Sequence, residues 1–287
     1  MSKKKRNHSI PTKLTKNQFS QFILKHLPKR QRSPVSKTSV FKIFNYIMKF
    51  LYTGCQWKEL PIDLNSDGKP EIHYTRVFRI FKHWIRNNVF TKIFENSVSV
   101  LKKCDLLDTS ILHGDGTSTV AKKGGDNIGY NGHKHMKGDK IAAFCDRLCN
   151  VIAPFVTAPG NRHESKMFPE SFEHLKRISK KLGISLKNCI ASLDSAYDNA
   201  PTRKKIFNAG MTPNIKENLR NRKKTKRGRK RIFEDDIFQE RFNTIERIFA
   251  WEDKFKRLLM RFERISLHHF SLKMLAYTMI NLRHFCD

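Results

Sequence analysis

The stretch SILHGDGTST, residues 110–119, decides the fold, because an apolar run ends there on an acidic residue, Asp115, between two glycines. A second apolar run, in NCIASLDSAYDN (residues 188–199), ends in the same way on Asp194. Such runs are typical of buried β-strands. Carboxylates at strand ends can hold hard divalent cations without enclosing them. The two stretches therefore predict a sheet with acidic residues where its strands end.

A third acidic residue, Glu246, lies in ERFNTIERIFAWEDKFKRLLMRFE, residues 240–263, which we interpret as one long amphipathic helix from about residue 236 to 263. Each carboxylate alone has an ordinary explanation: a turn for Asp115, a helix cap for Asp194 and a surface ion pair for Glu246. Together the three are a donor set for two divalent cations, which can drive an in-line phosphoryl displacement.

The order of the other elements predicts an α/β sheet of mixed direction. Short strands are expected at SILHGDG, KIAAFCD and NVIAPFVTA, with a hairpin turn at DRLCN between the last two. HESKMFPESFEHLKRISKKLG predicts a helix ended by Gly183, and a further strand, helix and strand follow. Before these, amphipathic segments predict helices. We expect three regions: a flexible basic lead at 1–13, a helical DNA-binding region at 14–104, and an α/β domain at 105–287 with a basic loop at 216–234.

Composition indicates a polyanionic partner. The 287 residues carry a formal net charge of +31, and 39% of them are hydrophobic, which is enough for a core. A charge this high favours nucleic acid, and its spread over the chain argues against an anionic membrane surface. No apolar stretch approaches the length that spans a bilayer, and the charged N-terminus does not resemble a signal peptide. We therefore expect a cytoplasmic protein whose six cysteines are reduced.

The densest positive charge lies between residues 220 and 231, and we expect it to contact DNA phosphates. We name this group the basic run: Arg220, Arg222, Lys223, Lys224, Lys226, Arg227, Arg229, Lys230 and Arg231. Four further cations follow Glu246 on the predicted long helix and are candidates for the same role: Arg247, Lys254, Lys256 and Arg257. A solvated helix face is the ordinary alternative for these four.

Histidines offer a second, less favoured metal chemistry. His133, His135 and His163 could serve a two-histidine nuclease, but no third ligand stands at zinc-like spacing.

The motifs in combination resemble the DDE transposases of bacterial insertion sequences, in the branch called insertion sequence five. The resemblance rests on GDGTSTVAKKGGDNIGYNGHKHMKGDKI, APGNRHESKMF, ASLDSAYDN, PNIKENLRNRKKTKRGRKR and ERIFAWEDKFKRLL, and on TGCQWKELP with the YTRVFRIFKHW segment near the N-terminus. It covers the chain from about residue 35 to the end. It implies an RNase H-like catalytic fold, with Asp115, Asp194 and Glu246 as the metal-binding triad. It also implies that His163, Glu164 and Ser165 lie near the active site, where His163 could support the metal ligands from outside the coordination shell.

The resemblance also implies an activity. Such an enzyme uses two Mg²⁺ ions, for which Mn²⁺ can substitute, to cleave the ends of its own element and join them to target DNA. Its partners are double-stranded DNA, both terminal inverted repeats and target, and further copies of itself, as a homodimer or larger oligomer in a synaptic complex. It would act in the bacterial cytoplasm, associated with the nucleoid.

One departure from the family pattern concerns an arginine. The family places it four residues before the glutamate, whereas here that position is Phe242 and the arginine is Arg241. On a regular helix Arg241 would lie away from the Glu246 face. Either a bulge restores it, or its role is taken elsewhere. Two alternatives therefore remain: a decayed transposase or other DNA-binding protein without cleavage activity, and a stand-alone endonuclease.

Overall fold

The computed structural model describes residues 9–28, 38–218 and 231–286. The chain divides into two compact units. The first combines residues 1–97 with residues 251–287, and the second comprises residues 98–250. The sequence-based boundary at 104/105 assigned residues 251–287 to the α/β domain, whereas the structure groups them with the N-terminal helices.

The α-helices begin and end as follows: α1 (Lys16–Phe22), α2 (Val40–Thr53), α3 (Tyr74–Arg86), α4 (Val89–Lys103), α5 (Glu164–Leu182), α6 (Ala200–Asn208), α7 (Asp235–Glu240), α8 (Ile245–Glu252) and α9 (Ser266–Leu282). The strands are β1 (Ile111–Ala121), β2 (Gly129–Asn131), β3 (Met136–Asp146), β4 (Val151–Pro159), β5 (Ile190–Leu193), β6 (Thr212–Ile215) and β7 (Met260–Arg261). Helix α4 begins in the first unit and ends in the second, and α8 does the reverse.

The first unit is built from helices whose starts are set by local side chains. Thr15 caps α1 through a capping box with Gln18, and Ser39 accepts a hydrogen bond from the first turn of α2. Gly54 ends α2 in the left-handed conformation, with φ of 73°. Trp57 stacks on Phe50 of α2 at 3.7 Å between ring centroids. These contacts bury the apolar faces that the sequence pattern predicted.

Helix α9 lies inside the first unit, and its burial requires polar side chains to find partners. Lys273 is fully buried and pairs with the carboxylate of Glu252, which also accepts a hydrogen bond from Tyr277. Asn281 donates to the Ser97 hydroxyl at 3.0 Å. Because an unpaired buried charge is very costly, the Lys273–Glu252 pair ties the end of α8 to α9.

The second unit is a mixed sheet with the strand order β2-β3-β1-β5-β6, in which β4 also pairs with β3. Strands β1, β3 and β4 pair antiparallel, and β5 and β6 continue from β1 in parallel. Helix α5 connects β4 to β5, and α6 connects β5 to β6. Antiparallel strands followed by parallel ones with helical crossovers confirm the RNase H-like mixed sheet with flanking helices, preceded by an all-α region, that the sequence predicted.

Individual predictions within this sheet are also confirmed. The hairpin turn joins β3 to β4, and Gly183 ends α5 with φ of 66°. The apolar run before Asp194 forms β5, whose last residue is Leu193.

The long helix expected from about 236 to 263 was wrong. The chain forms α7, a 3₁₀ turn at Arg241–Asn243, then α8, which ends at Glu252. The Thr244 hydroxyl donates to the carbonyl oxygens of Glu240 and Arg241, at 3.0 and 3.1 Å. These bonds compete with helical hydrogen bonds, so the helix is interrupted at Thr244.

All six cysteines are free thiols, in agreement with the sequence-based expectation, and four of them are buried. Across the described ranges, every helix is too short or too polar to cross a membrane.

Candidate active site

Two neighbouring parallel strands bring Asp115 and Asp194 together. Gly114 of β1 is paired with Leu193 of β5. Asp115 and Asp194 directly follow these two residues, so they are neighbours on adjacent parallel strands. Asp115 accepts a hydrogen bond from the Gly116 amide at 2.8 Å. Asp194 accepts one from the Ser195 amide at 2.6 Å and caps a short 3₁₀ turn. The strand-end prediction and the capping interpretation of Asp194 therefore both describe its position. For Asp115 the strand-end prediction and the alternative of a turn were both wrong, because β1 continues through it to Ala121 and pairs with β3 along this length.

Arg241 reaches Asp115 from the interrupted helix. Its Nη1 lies 2.7 Å from Asp115 Oδ2, and the two side chains are 5% and 15% exposed. The guanidinium also lies over the rings of Phe238 and Phe242, at 5.5 and 5.7 Å. The arginine that seemed displaced on a regular helix is thus placed on an acidic residue by the break at Thr244.

The environment of Asp115 disfavours its charge unless a cation is present. Burial raises the pKa of Asp115 to about 6, and Arg241 and the Gly116 amide oppose that rise. The nearby carboxylates of Glu164 and Asp194 raise it further. A carboxylate in this situation is stabilised by any cation that reaches it, which is the electrostatic condition for binding a metal.

Glu240, next to Arg241, anchors the same segment to the sheet. It forms two hydrogen bonds with Arg147, at 2.8 and 2.9 Å, and its Oε1 lies 3.5 Å from His113 Nε2. The hydrogen bond from Arg147 lowers the pKa of Glu240. His113 lies two residues before Asp115 on β1 and is fully buried, and burial lowers its pKa. His113 and Asp115 lie on the same face of β1, because alternate residues of a strand share a face. Glu240 contacts the first and Arg241 the second, so both contacts hold the segment between α7 and α8 against β1.

A cavity of about 490 Å³ opens beside Asp194. Glu164 and Asp194 both line it, together with Lys140 and His163. Lys140 Nζ lies 3.6 Å from Glu164 Oε1. His163 caps α5, and its Nδ1 lies 2.8 Å from the Ser165 hydroxyl oxygen. The cavity therefore combines two carboxylates with positive and neutral polar groups, which suits cations and phosphates together.

Glu246, the third expected ligand, lies in the first turn of α8 and is exposed. Among the described residues, no hydrogen bond or ion pair joins it to Asp115 or Asp194, and no three His, Cys, Asp or Glu side chains are close enough together to hold one metal ion. The structure thus brings together Asp115, Asp194, Glu164 and Arg241. Glu246 follows Arg241 by five residues in the sequence, but its side chain faces solvent.

The DNA-binding candidates fall into three groups. Of the basic run, only Arg231 lies within the described residues, and its Nη1 bonds to the buried Asp198 at 2.5 Å. Arg247, Lys254 and Lys256 are exposed, as phosphate contacts require. Arg257 is buried in the first unit, where it pairs with Glu263 at 2.7 Å and lies over the ring of Phe50. Arg257 therefore packs within the first unit and is not presented to solvent as the amphipathic helix predicted.

Asp198, four residues after Asp194, binds several partners. Arg203 and Arg231 pair with it, and the Asn218 amide donates to it at 2.9 Å. Burial opposes its ionisation, but the Asn218 amide and the two arginines outweigh burial and lower its pKa.

The resemblance predicted that His163, Glu164 and Ser165 lie near the active site, and Glu164 does line a cavity with Asp194. Sequence reasoning missed the anchoring role of Glu240. Its partners, Arg147 and His113, are about 90 and 130 residues away in sequence, so no local pattern indicated them.

The sequence profile of the family described as "Transposase DDE domain" matches residues 106–281, which is more than half of the chain. The chain belongs to the DDE transposase family. The matched segment includes Asp115, Asp194, Arg241 and Glu246. Among curated proteins, none matches this transposase in sequence.

Several solved transposase structures are similar to this transposase at low identity. A cryo-EM structure of the piggyBac transposase synaptic complex with hairpin DNA has 10% identity and a TM-score of 0.48, and the match covers 88% of this chain and 70% of that one. The Mos1 transposase paired-end complex with the left transposon end has 12% identity and a TM-score of 0.28, with 65% and 61% covered. The chain thus spans less than two thirds of that Mos1 chain. A pre-cleavage Mos1 transpososome has 10% identity and a TM-score of 0.30, with 88% and 80% covered.

Proposed function

We propose that this DDE transposase binds the ends of an insertion sequence of the insertion sequence five branch, cleaves them, and joins them to target DNA. The observation that carries the proposal is the placement of Asp115, within β1, and Asp194, directly after β5, at matching positions of two adjacent strands, with a cation, the Arg241 guanidinium, already paired with Asp115.

The residues present fit a divalent metal. The donors are hard carboxylate oxygens, and Asp115 is nearly buried and already paired with a positive group. Asp115, Asp194 and Glu246 would hold two Mg²⁺ ions, for which Mn²⁺ can substitute. When bound, such ions activate the attacking oxygen and stabilise the leaving oxygen of an in-line displacement. Glu246 follows Arg241 by five residues and is exposed, so it would have to turn toward the two aspartates when metal binds.

The chain's own groups have roles in this proposal. Arg241 would balance the charge of Asp115 until metal and DNA arrive. Lys140, His163 and the remainder of the polar cavity would position the phosphodiester beside Asp194. The basic run without Arg231, together with Arg247, Lys254 and Lys256, would contact DNA phosphates outside the site.

The helical region at 14–104 would contribute to DNA binding, and two or more copies would bring the element's ends together in a synaptic complex. The net charge of +31 supports a polyanionic partner of this size. The site of action would be the bacterial cytoplasm, at the nucleoid.

The decisive experiment uses Asp194→Asn with the DNA that flanks the gene. We expect the variant to bind this DNA in a gel shift about as well as the wild type, and to lose Mg²⁺-dependent nicking at the inverted repeats. Asp67→Asn, which changes an exposed carboxylate in a turn, is the control and should nick normally. If Asp194→Asn nicks at the wild-type rate, Asp194 is not a metal ligand.

A second function is favoured by one observation. Arg241 is paired with Asp115, and within the described residues no three acidic side chains are close enough together to hold one metal ion. A DNA-binding protein that has lost cleavage would have this arrangement. Wild-type protein that shifts the flanking DNA but never nicks it in Mg²⁺ or Mn²⁺ would support that function. Nicking without joining of strands would instead indicate a stand-alone endonuclease.

A further inference from the structure

Glu164 is a third carboxylate at the candidate site, and the expected triad does not include it. It is the first residue of α5, and its side chain is 23% exposed. A β-carbon added to Gly116 would lie 3.2 Å from the Glu164 carboxyl carbon. Gly116, which follows Asp115 on β1, therefore leaves the space that the Glu164 carboxyl group fills. The start of α5 thus places this carboxylate against β1, next to the residue that follows Asp115.

The surroundings of Glu164 are those of a cation site. Glu164 and Asp194 line the same cavity, and Lys140 is the positive group nearest to Glu164. Like charges held this close repel one another, so their assembly indicates that a cation compensates them in the working state.

A second observation concerns Asp115, the carboxylate next to Gly116, which is already paired with a cation. Arg241 is 4% exposed, its guanidinium is directed at Asp115, and its Nε has no hydrogen-bond partner within the described ranges. A buried guanidinium with an unused donor is a poor final partner for Asp115. A divalent cation would compensate the carboxylates more fully.

We propose that Glu164 is a further metal-binding carboxylate of this transposase, and that it holds one divalent cation jointly with Asp194 in the cavity that both line. This inference rests on the proposed function, because it adds a ligand to the same metal site. Mg²⁺ in phosphoryl-transfer sites is commonly held by one or two carboxylates together with substrate phosphate oxygens and water. Two carboxylates on one open cavity meet that requirement without a three-residue cage.

Lys140 has a defined part in this arrangement. It compensates Glu164 while the metal is absent, and a phosphate oxygen of the DNA would be its partner once the metal has taken Glu164. The competing explanation is that Glu164 serves only the start of α5, where a negative charge favours the helix dipole. The two explanations differ in what metal binding requires of Glu164.

The test measures Mn²⁺ binding to the full chain, freed of metal by chelation, from the electron paramagnetic resonance signal of free Mn²⁺. The variants are Glu164→Gln and Glu164→Asp, and the matched control is Glu170→Gln, an exposed carboxylate on the same helix. We expect Glu164→Gln to weaken Mn²⁺ binding at least about tenfold, since even indirect partners of metal ligands cost about 10–100-fold. Glu170→Gln should bind Mn²⁺ as the wild type does.

A second measurement follows nicking of the flanking DNA against Mn²⁺ concentration. Glu164→Gln should need a higher concentration for half-maximal nicking, whereas a role confined to the helix start would lower thermal stability and leave this concentration unchanged. If Glu164→Gln does not fold, Glu164→Asp decides the question. It retains the negative charge at the helix start but shortens the reach of the carboxylate, so weakened Mn²⁺ binding supports the inference and wild-type binding overturns it.

The two proposals fail in different ways. Wild-type protein that neither binds Mn²⁺ nor nicks DNA contradicts the proposed function itself. Wild-type protein that does both, with a Glu164→Gln variant of equal Mn²⁺ affinity, contradicts only the assignment of Glu164.

Discussion

Replacing Arg241 with methionine tests whether this arginine stands in for a metal. The change removes the positive charge 2.7 Å from Asp115 and keeps an apolar side chain of similar length. Breaking a buried ion pair by removing one partner typically costs about 3–5 kcal/mol, because the other charge is left buried and alone. Since Asp115 retains 15% exposure, we expect the lower end, about 3 kcal/mol. For a chain of this size that loss lowers the melting temperature by roughly 6–12 °C.

The same change should make the protein more responsive to metal. A cation binding to the variant no longer competes with the guanidinium for Asp115. A ligand present at about 100 times its dissociation constant stabilises the folded state by about 2.7 kcal/mol, so Mn²⁺ should restore most of the loss. The assay is thermal unfolding at pH 8 with and without Mn²⁺, on wild type and Arg241→Met. Arg247→Met, which changes an exposed arginine of α8, is the control and should shift little in either condition.

A double-mutant cycle with Asp115→Asn completes this test. If Arg241 acts through Asp115, the combined variant loses less stability than the sum of the single changes. The reasoning is refuted if Arg241→Met is as stable as the wild type without metal, or if Mn²⁺ stabilises both proteins equally.

Three further outcomes are expected. Glu263→Gln removes a carboxylate whose burial would raise its pKa, but His269 and Arg257 outweigh burial and lower that pKa to about 2. Because this pKa lies below the unfolded value of 4.5, the ionised Glu263 adds about 3 kcal/mol to the free energy of unfolding at pH 7. In urea unfolding, the difference between variant and wild type should therefore vanish as the pH falls from 4.5 to 2. Glu252→Gln leaves Lys273 buried without its charge partner, so its free energy of unfolding should fall by about 3–5 kcal/mol in the same assay. Glu246 is exposed, so Glu246→Gln should change the free energy of unfolding by less than about 0.5 kcal/mol, although it should lose nicking. Alanine at Arg227, Arg229 and Lys230 of the basic run should flatten the slope of log K for DNA binding against log salt concentration. The change should be up to about 0.9 for each phosphate that the variant no longer neutralises, for specific and random DNA alike. An unchanged slope would exclude these three residues from the DNA interface.

The alternation of apolar and acidic residues was sufficient to predict the sheet and two of its acidic positions. Asp115 and Asp194 each end an apolar run, and parallel pairing of adjacent strands brings such ends together without information from elsewhere in the chain. The helix ends at Thr15 and Gly183 were predictable for the same reason, since caps depend on residues close in sequence.

The interruption of the long helix was not predictable from periodicity. The apolar spacing continues past residue 252, but Glu252 is held by Lys273 and Tyr277, which are more than 20 residues away. Thr244 likewise turns its hydroxyl to the preceding carbonyls instead of following the helix. A local sequence pattern contains no information about such distant partners. The helix break, and with it the contact of Arg241 with Asp115, could therefore be found only from the structure.

Asp198 has a consequence for how this protein can vary. Asn218 and Arg231 stand on either side of residues 219–230 in the sequence, and both bond to this one buried carboxylate. The two ends of that stretch are thus held at a common point, four residues beyond Asp194. Doubling the length of a closed stretch of chain costs only about 0.6 kcal/mol. The sequence between Asn218 and Arg231 can therefore be lengthened or exchanged at little cost in stability, as long as Asp198 and these two partners are kept.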